Sequence, residues 1–282
     1  MKCRNPSCRA TVPGHLRDCP ACGWDNGAPN VRAAEATAER DALNAHVRDA
    51  EAAAANRGCE TVLSAFASAV ENSAALYCCH LGEINRVASS DREPFRTFQA
   101  MVKAEALIPD DSFYDRWRPV VEAVLFPHYN EHIHFAALSL NDRGPIGYGD
   151  FSVTFKESAI ADRSSVFEEN SVFYFRKNPT LIGKEIRTGA RATWRDRSKL
   201  AIAKHGSRIT HMTTPGDFAG ILLTAGPNRQ DDDFIEVHIY GSITRHSMEK
   251  VVGPSRHPRR KPDQALLLAI RKNLADIGVS LS

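Results

Sequence analysis

Four of the chain's seven cysteines fall within its first twenty-two residues, and their spacing is the tightest constraint on what the chain can fold into. They read Cys3-x4-Cys8-x10-Cys19-x2-Cys22. Pro20 and Gly23 flank the second pair, so Cys-Pro-Ala-Cys-Gly can turn backbone amides toward thiolate sulfurs. Two such turns close a tetrahedral site for zinc. A segment this short cannot bury a core, so bound metal would supply most of its folding energy. Thiols fill all four ligand positions, which predicts a closed structural site with no open position for catalysis. The odd cysteine count and the lack of an apolar leader at the N-terminus argue against a disulfide framework. No apolar run approaches the length of a membrane helix, and a cytoplasmic protein with no membrane partner is expected.

Residues 1–27 thus resemble a zinc ribbon. Its rim is basic, with Lys2, Arg4, Arg9, Arg17 and Arg32 against Asp18 and Asp25, and a second basic run holds Arg256, His257, Arg259, Arg260 and Lys261. The net charge of the whole chain is only +2, too small to imply nucleic acid by itself. Gly27 and Pro29 mark a linker, Asn30 suits a helix N-cap, and Val31 to Arg57 is an alanine-rich stretch without Gly or Pro. Its stripe of Leu43, Val47, Ala50 and Ala54 is poor in large side chains. Residues 28–58 are therefore read as a long, partly exposed connector helix, and residues 59–282 as the body.

The body divides by periodicity. Residues 60–87 place Leu63, Phe66, Val70, Ala74, Tyr77, Leu81 and Ile84 on one stripe and predict an amphipathic helix. Cys78 and Cys79 within it are expected to be buried thiols. Pro94 opens another helix with Phe95 and Phe98, and a third is expected from about Asp111, kinked at Pro119. From His128 the period shortens toward two. Strands are expected at His132 to Leu140, Phe151 to Phe155, Val172 to Phe175 and Phe234 to Tyr240, with a short strand candidate at Leu200 to Ala203. Short helices are expected at Asp217 to Thr224 and from Ser247, and a last one at Asp263 to Ile277. The order is ribbon, helical region, then a mixed or antiparallel strand-rich half, an α+β fold.

Two stretches of the strand-rich half carry candidate chemistry. The first is Gly147-Tyr148-Gly149-Asp150, a strand ending in Lys156-Glu157, then Arg163-Ser164-Ser165 and Asn170-Ser171. The second is Phe234 to Gly241, where Glu236 and His238 share a strand face opposite Ile235, Val237 and Ile239. Together they resemble blocks of the ADP-ribosyltransferase-like domains of bacterial polymorphic toxins and phage head-morphogenesis proteins. The resemblance covers about residues 130–252. In that group the first block reads approximately Tyr-Gly-Asp, Lys-Glu or Lys-Pro, Arg-Thr-Thr and Asp-Ser, and the second a Glu-x-Gln pair. Glu236 takes the glutamate position, while His238 stands where the group has glutamine.

The resemblance implies an NAD-dependent ADP-ribosyltransferase, a toxin or phage-defence effector acting on a protein or nucleic-acid acceptor, with an antitoxin or other regulatory protein as a further partner. Cleaving the nicotinamide–ribose bond passes through an oxocarbenium-like state. A carboxylate beside the ribose stabilises it, which makes Glu236 the catalytic candidate. Tyr148 on its glycine turn with Gly149 would stack on nicotinamide, Arg163 or Arg96 would hold the pyrophosphate, and Ser164 would position the ribose, with His238 beside them. The alternative is a non-catalytic zinc-ribbon protein that binds nucleic acid or a protein partner. A hydrolase or nuclease built on His128, His132, His134 and His238 is a third possibility, and no carboxylate cluster of recognisable spacing accompanies those histidines.

Overall fold

A long antiparallel sheet forms because the C-terminal half supplies strands that must cover both their faces. The computed structural model describes residues 1–109, 112–178, 186–256 and 258–282; the expected helix start at Asp111 and His257 of the basic run lie outside these residues. In chain order the helices are α1 (Pro29–Ala34), α2 (Thr37–Asn56), α3 (Glu60–Glu71), α4 (Leu81–Ala88), α5 (Phe98–Lys103), α6 (Phe113–Leu125), α7 (Glu157–Ile160), α8 (Ser171–Lys177), α9 (Arg197–His205), α10 (Phe218–Leu222) and α11 (Lys261–Ala275). The strands are β1 (Ala74–Cys79), β2 (Ile133–Ser139), β3 (Phe151–Phe155), β4 (Ser164–Phe167), β5 (Arg191–Thr193), β6 (Leu223–Thr224), β7 (Asp233–Phe234), β8 (Glu236–Tyr240), β9 (Met248–Val252) and β10 (Ser280–Leu281). Eight of them form one sheet in the order β10-β9-β3-β1-β2-β8-β4-β5, and β6 pairs with β7 apart from it. Every pairing in the large sheet is antiparallel except β10 with β9.

Pairing register assigns the two faces. Val237 lies opposite Ala136 and Val166, and Tyr77 opposite Val153, so these share one face. That face merges with Leu63 and Phe66 of α3, Leu200 of α9, Ile84 of α4 and Ile270 of α11 in the main core. Glu236 lies opposite Ala137 and Phe167, and His238 opposite Phe135 and Ser165, on the other face. There α6 and α8 lay Val121, Leu125, Tyr174 and Phe175 against Ile133 and Phe167 in a smaller cluster.

The structure corrects several expectations. The amphipathic helix of 60–87 is α3, β1 and α4 in succession. Asn72 ends α3, and Ala-Ala-Leu-Tyr-Cys-Cys becomes a strand between β2 and β3. A strand buried on both faces has no alternation, so its apolar run matches a helical stripe equally well. Phe95 to Thr97 lies outside the helix, which begins at Phe98, with the Thr97 hydroxyl accepting from the Ala100 amide. Val172 to Phe175 is helical because the Asn170 side chain accepts from the amides of Val172 and Phe173 and caps α8. Leu200 to Ala203 lies inside α9, and the segment from Met248 is β9, recruited by β3. Pro119 lies inside α6.

The expected connector is also different. It is two helices, broken at Glu35 and Ala36, and α2 lies on the body rather than apart from it. Glu39, buried in its first turn, accepts from the Gly189 amide at 2.6 Å and Arg191 Nε at 2.8 Å. Leu43 and Ala54 are buried in the main core, with Val47 and Ala50 packed against it. Small residues on this stripe permit close approach: a Cβ on Gly206 would sit 3.1 Å from that of Ala50.

Candidate active site and metal centre

The ribbon brings its four sulfurs within 4.8 Å of one another. Cys3 and Cys22 are 3.7 Å apart and Cys8 and Cys19 are 3.8 Å apart. A tetrahedral zinc with bonds of about 2.3 Å requires sulfurs about 3.8 Å apart, so this donor set fits such an ion. The Asn5 amide points at Cys3 Sγ at 3.4 Å. Burial pushes the Cys19 thiol up, but the amides of Ala21 and Cys22 aimed at it outweigh burial and bring it down to about 7. Short antiparallel bridges, Lys2 with Thr11 and Asp18 with Asp25, complete the ribbon. Arg32 of α1 joins it to the body side by donating to the carbonyls of Gly14, Leu16 and Gly27.

Asn30 does not cap a helix. It is buried in α1, and its amide nitrogen is shared among the Arg163 carbonyl at 3.2 Å, Ser165 Oγ at 3.1 Å and the His238 carbonyl at 2.9 Å. The segment leaving the ribbon therefore bridges β4 and β8 on the face of the sheet that carries the candidate site.

That site is a pocket of about 100 Å³ on the second face of the sheet. Glu236 lines it from β8, Tyr148 from the turn before β3, Arg96 from the segment before α5, and Tyr114 and Arg118 from α6. Phe98 and Phe135 add apolar wall. Glu236 is 3% exposed, and each of its oxygens is held. Oε1 accepts from Asn170 Nδ2 at 3.3 Å; Oε2 accepts from the Ser171 amide at 3.1 Å and meets His238 Nε2 at 2.9 Å. The start of α8 thus presents a backbone donor to the carboxylate, while Asn170 caps the helix with its oxygen and holds the acid with its nitrogen. The same nitrogen reaches Tyr148 Oη at 3.0 Å and Tyr114 Oη at 3.4 Å. His238 is packed among the rings of Phe126, Phe135 and Phe167, so its ring cannot turn away from Glu236.

Burial first, then Tyr114 and Glu236 beside it, raise the Tyr148 phenol far above its ordinary range. It stays protonated, and its oxygen accepts from Asn170 Nδ2. Arg229 clamps its turn from outside: Nε donates to the Gly147 carbonyl at 2.6 Å, and the guanidinium lies 5.2 Å from the ring centres of both Tyr114 and Tyr148. Gly149 has φ +146°, and a Cβ there would fall 2.4 Å from the Cys79 carbonyl. Its place in the block reflects this close approach to β1, which sets Tyr148 at the pocket. No family model matches this chain, and a search of the curated proteins finds no match either.

Of the sequence candidates, Glu236, Tyr148 and Arg96 line one pocket, and His238 lies beneath it on Glu236. Arg163, Ser164 and Gly149 are not among its walls. Arg163 lies in the turn before β4, beside Tyr240 at the far end of β8 from Glu236, about 13 Å along a strand. Its guanidinium is taken up by the carbonyls of Ala159, Tyr240 and Ser242. Ser164 points to the opposite face with Ile239 and donates to the Ile160 carbonyl. These two residues hold the edge of β4, not a ligand. The histidines do not gather either. His134 faces the main core with Tyr77, away from His238, and among the described residues the four ribbon cysteines are the group of ligand side chains close enough to hold a metal.

Asn170, Tyr114 and Arg118 were missed as site residues. Asn170 was legible as part of its block, because a small polar residue before an apolar run is a cap signal that also fixes where the next side chains point. Tyr114 and Arg118 carry the spacing of one helix face and no signal beyond it.

Proposed function

We propose that the chain is an NAD-dependent ADP-ribosyltransferase whose acid is Glu236, with a structural zinc in the ribbon. The observation that supports this most is the meeting of the two sequence blocks. Asn170 joins the Tyr148 hydroxyl to the Glu236 carboxylate at the floor of a single pocket, although 66 residues separate it from the acid. A buried carboxylate held by a backbone amide, a side-chain amide and an imidazole is fixed in position before any ligand arrives. Such a group can stabilise positive charge that develops on a ribose. The pocket has room for one ring of nicotinamide size, with Tyr148 as its aromatic neighbour. The rest of the dinucleotide would leave along the wall that carries Arg96 and Arg118. In this reading Arg163 has no part in binding NAD, because it lies outside the pocket walls with its Nε and Nη1 spent on backbone carbonyls.

As a toxin or phage-defence effector, the protein would modify a protein or nucleic acid and would be held in check by an antitoxin or similar partner. Among the described residues no helix is long and apolar enough to cross a membrane. A purely nucleic-acid-binding role draws less support from the ribbon. Arg4 pairs with Glu35, Arg17 with Asp25, and Arg32 is spent on backbone carbonyls, so three of its basic side chains already have partners.

Incubation with NAD labelled in the adenylate half, with nicotinamide release followed by chromatography, tests the proposal. Wild-type protein should release nicotinamide, and Glu236→Gln should lower the rate by roughly a hundredfold or more. Wild type and Glu236→Gln behaving alike, with neither label transfer nor NAD hydrolysis, would remove it.

A further inference from the structure

Among the described residues Arg118 is the cation that a helix brings to the pocket wall, and neither the strand pattern nor the two sequence blocks point to it. Its surroundings dispose of it in an unusual way. Nε donates to Glu122 Oε1 at 2.6 Å, one turn along α6. Glu122 does not fork onto the guanidinium, because its other oxygen accepts from Gln99 Nε2 at 3.1 Å. Phe98 covers the guanidinium at 4.3 Å from the ring centre and Phe135 at 5.0 Å. Both rings belong to the pocket wall, so the planar group is held by aromatic faces while its edge is left toward the cavity. Neither terminal nitrogen has an acceptor among the described residues; the side chain lines the pocket and is 17% exposed. Glu236 does not supply the missing acceptor, since its two oxygens are held by Asn170, Ser171 and His238. A mostly buried guanidinium with its Nε fixed and its terminal N–H groups open is arranged for two-point recognition of a flat or tetrahedral anion. A lysine at this place could not be held by the rings in the same way or present a fork.

We propose that Arg118 is the anion-binding residue of this pocket, and that the ligand enters with a phosphoryl or carboxylate group against the terminal nitrogens of its guanidinium. Phosphoryl and carboxylate oxygens share the chemistry that such a fork recognises. Under the NAD reading, on which the choice of probes rests, the group is the pyrophosphate, and Arg118 takes the role for which Arg163 is unfit. The carboxylate of a nicotinate-like ring is the other source.

Full-length protein titrated calorimetrically with ADP-ribose, inorganic pyrophosphate, nicotinate and nicotinamide separates these cases. Wild type should bind ADP-ribose, and Arg118→Gln should weaken it tenfold to a hundredfold while leaving nicotinamide within about twofold. Arg118→Lys, which keeps the charge and loses the fork, should fall between. Because Arg118→Gln strands Glu122, the double variant Arg118→Gln/Glu122→Gln is measured beside it, with circular dichroism to show that both fold. Selective loss of nicotinate instead of ADP-ribose supports the anion site and assigns it to a carboxylate. Pyrophosphate or nicotinate bound in an Arg118-dependent manner, with ADP-ribose and nicotinamide both ignored, leaves Arg118 as the anion site and removes the NAD reading. If wild type binds none of the three anions, or if the folded double variant binds them as tightly as wild type, Arg118 is not an anion-binding residue.

Discussion

Asn170→Ala and Asn170→Asp together test whether the site is held as described. In the native chain Asn170 Oδ1 accepts from the amides of Val172 and Phe173, while Nδ2 donates to Glu236 and Tyr148. Alanine removes both functions. Loss of the cap costs about 0.5–2 kcal/mol. Loss of a buried donor to a carboxylate costs about 1.5–3 kcal/mol more, because Glu236 remains buried with one partner fewer. The sum, roughly 2–5 kcal/mol, is a large share of the roughly 5–15 kcal/mol that holds a typical protein folded. Aspartate separates the two functions. It keeps the acceptor for the start of α8 and loses the donor, and it sets a second carboxylate against Glu236. Two carboxylates at such range cannot both ionise cheaply, so the folded pair titrates above the roughly pH 4 of unfolded side chains. A group whose folded pKa is raised contributes its stability below the unfolded pKa and loses it as pH rises through the folded pKa. Relative to wild type at each pH, Asn170→Asp should therefore be close to normal at pH 4 and markedly destabilised at pH 8. Asn170→Ala should show a similar deficit at both. Urea unfolding followed by circular dichroism measures this. An aspartate variant that tracks wild type at pH 8 as well as at pH 4 would mean that the amide does not face the carboxylate, and the network around Glu236 would have to be redrawn.

Two further outcomes follow from the contacts described. Removing metal with a strong chelator should release close to one zinc per chain, make the ribbon thiols reactive toward a thiol reagent, and lower amide-exchange protection in β4 and β8, because Asn30 bridges these strands from the segment that the ribbon anchors; unchanged thiol reactivity and exchange would contradict this. Burial holds His134 neutral, with its pKa down at about 3, so the unfolded chain takes up a proton that the folded one refuses as pH drops below about 6.5; stability should fall by about 1.4 kcal/mol on this account between pH 7.5 and 5.5, and His134→Phe, which also removes the unpartnered Nδ1, should reduce the slope of urea midpoints against pH.

The cysteine group that could hold a metal and the apolar face of β8 were legible in the sequence because each depends on local spacing. Cysteine pairs fix a metal site within a few turns of chain, and alternation fixes which face Ile235, Val237 and Ile239 take. What was not legible depended on pairing across the chain. Ala74 to Cys79 looks helical until β2 and β3 are known to flank it, since a strand buried on both sides has no polar positions to mark it. Arg163 looks like a ligand residue until the carbonyls of Tyr240 and Ser242 are known to lie beside it, and these arrive from β8 and the turn that ends it. Arg96 could be placed at the pocket, but the cation with the more specific setting, Arg118, owes its position to Phe98 and Phe135 from two other elements.

The face parity of β8 explains why the pocket is where it is. Odd-numbered residues of the strand are sealed by the main core, which leaves no room for a ligand. Even-numbered residues face the second side, where α6 and α8 cover the β8–β4 end and α5 and the Tyr148 turn close in from the other. These are short elements from different parts of the chain, and they meet around Glu236 without filling the space above it. A buried acid in such a gap would be costly if left alone. It is tolerated because the cap of α8 and His238 meet its oxygens directly. Asn30, at the start of the segment that leaves the ribbon, secures the strand beneath. A change at the ribbon should therefore be felt at Glu236 through backbone contacts, with no residue of the ribbon entering the pocket.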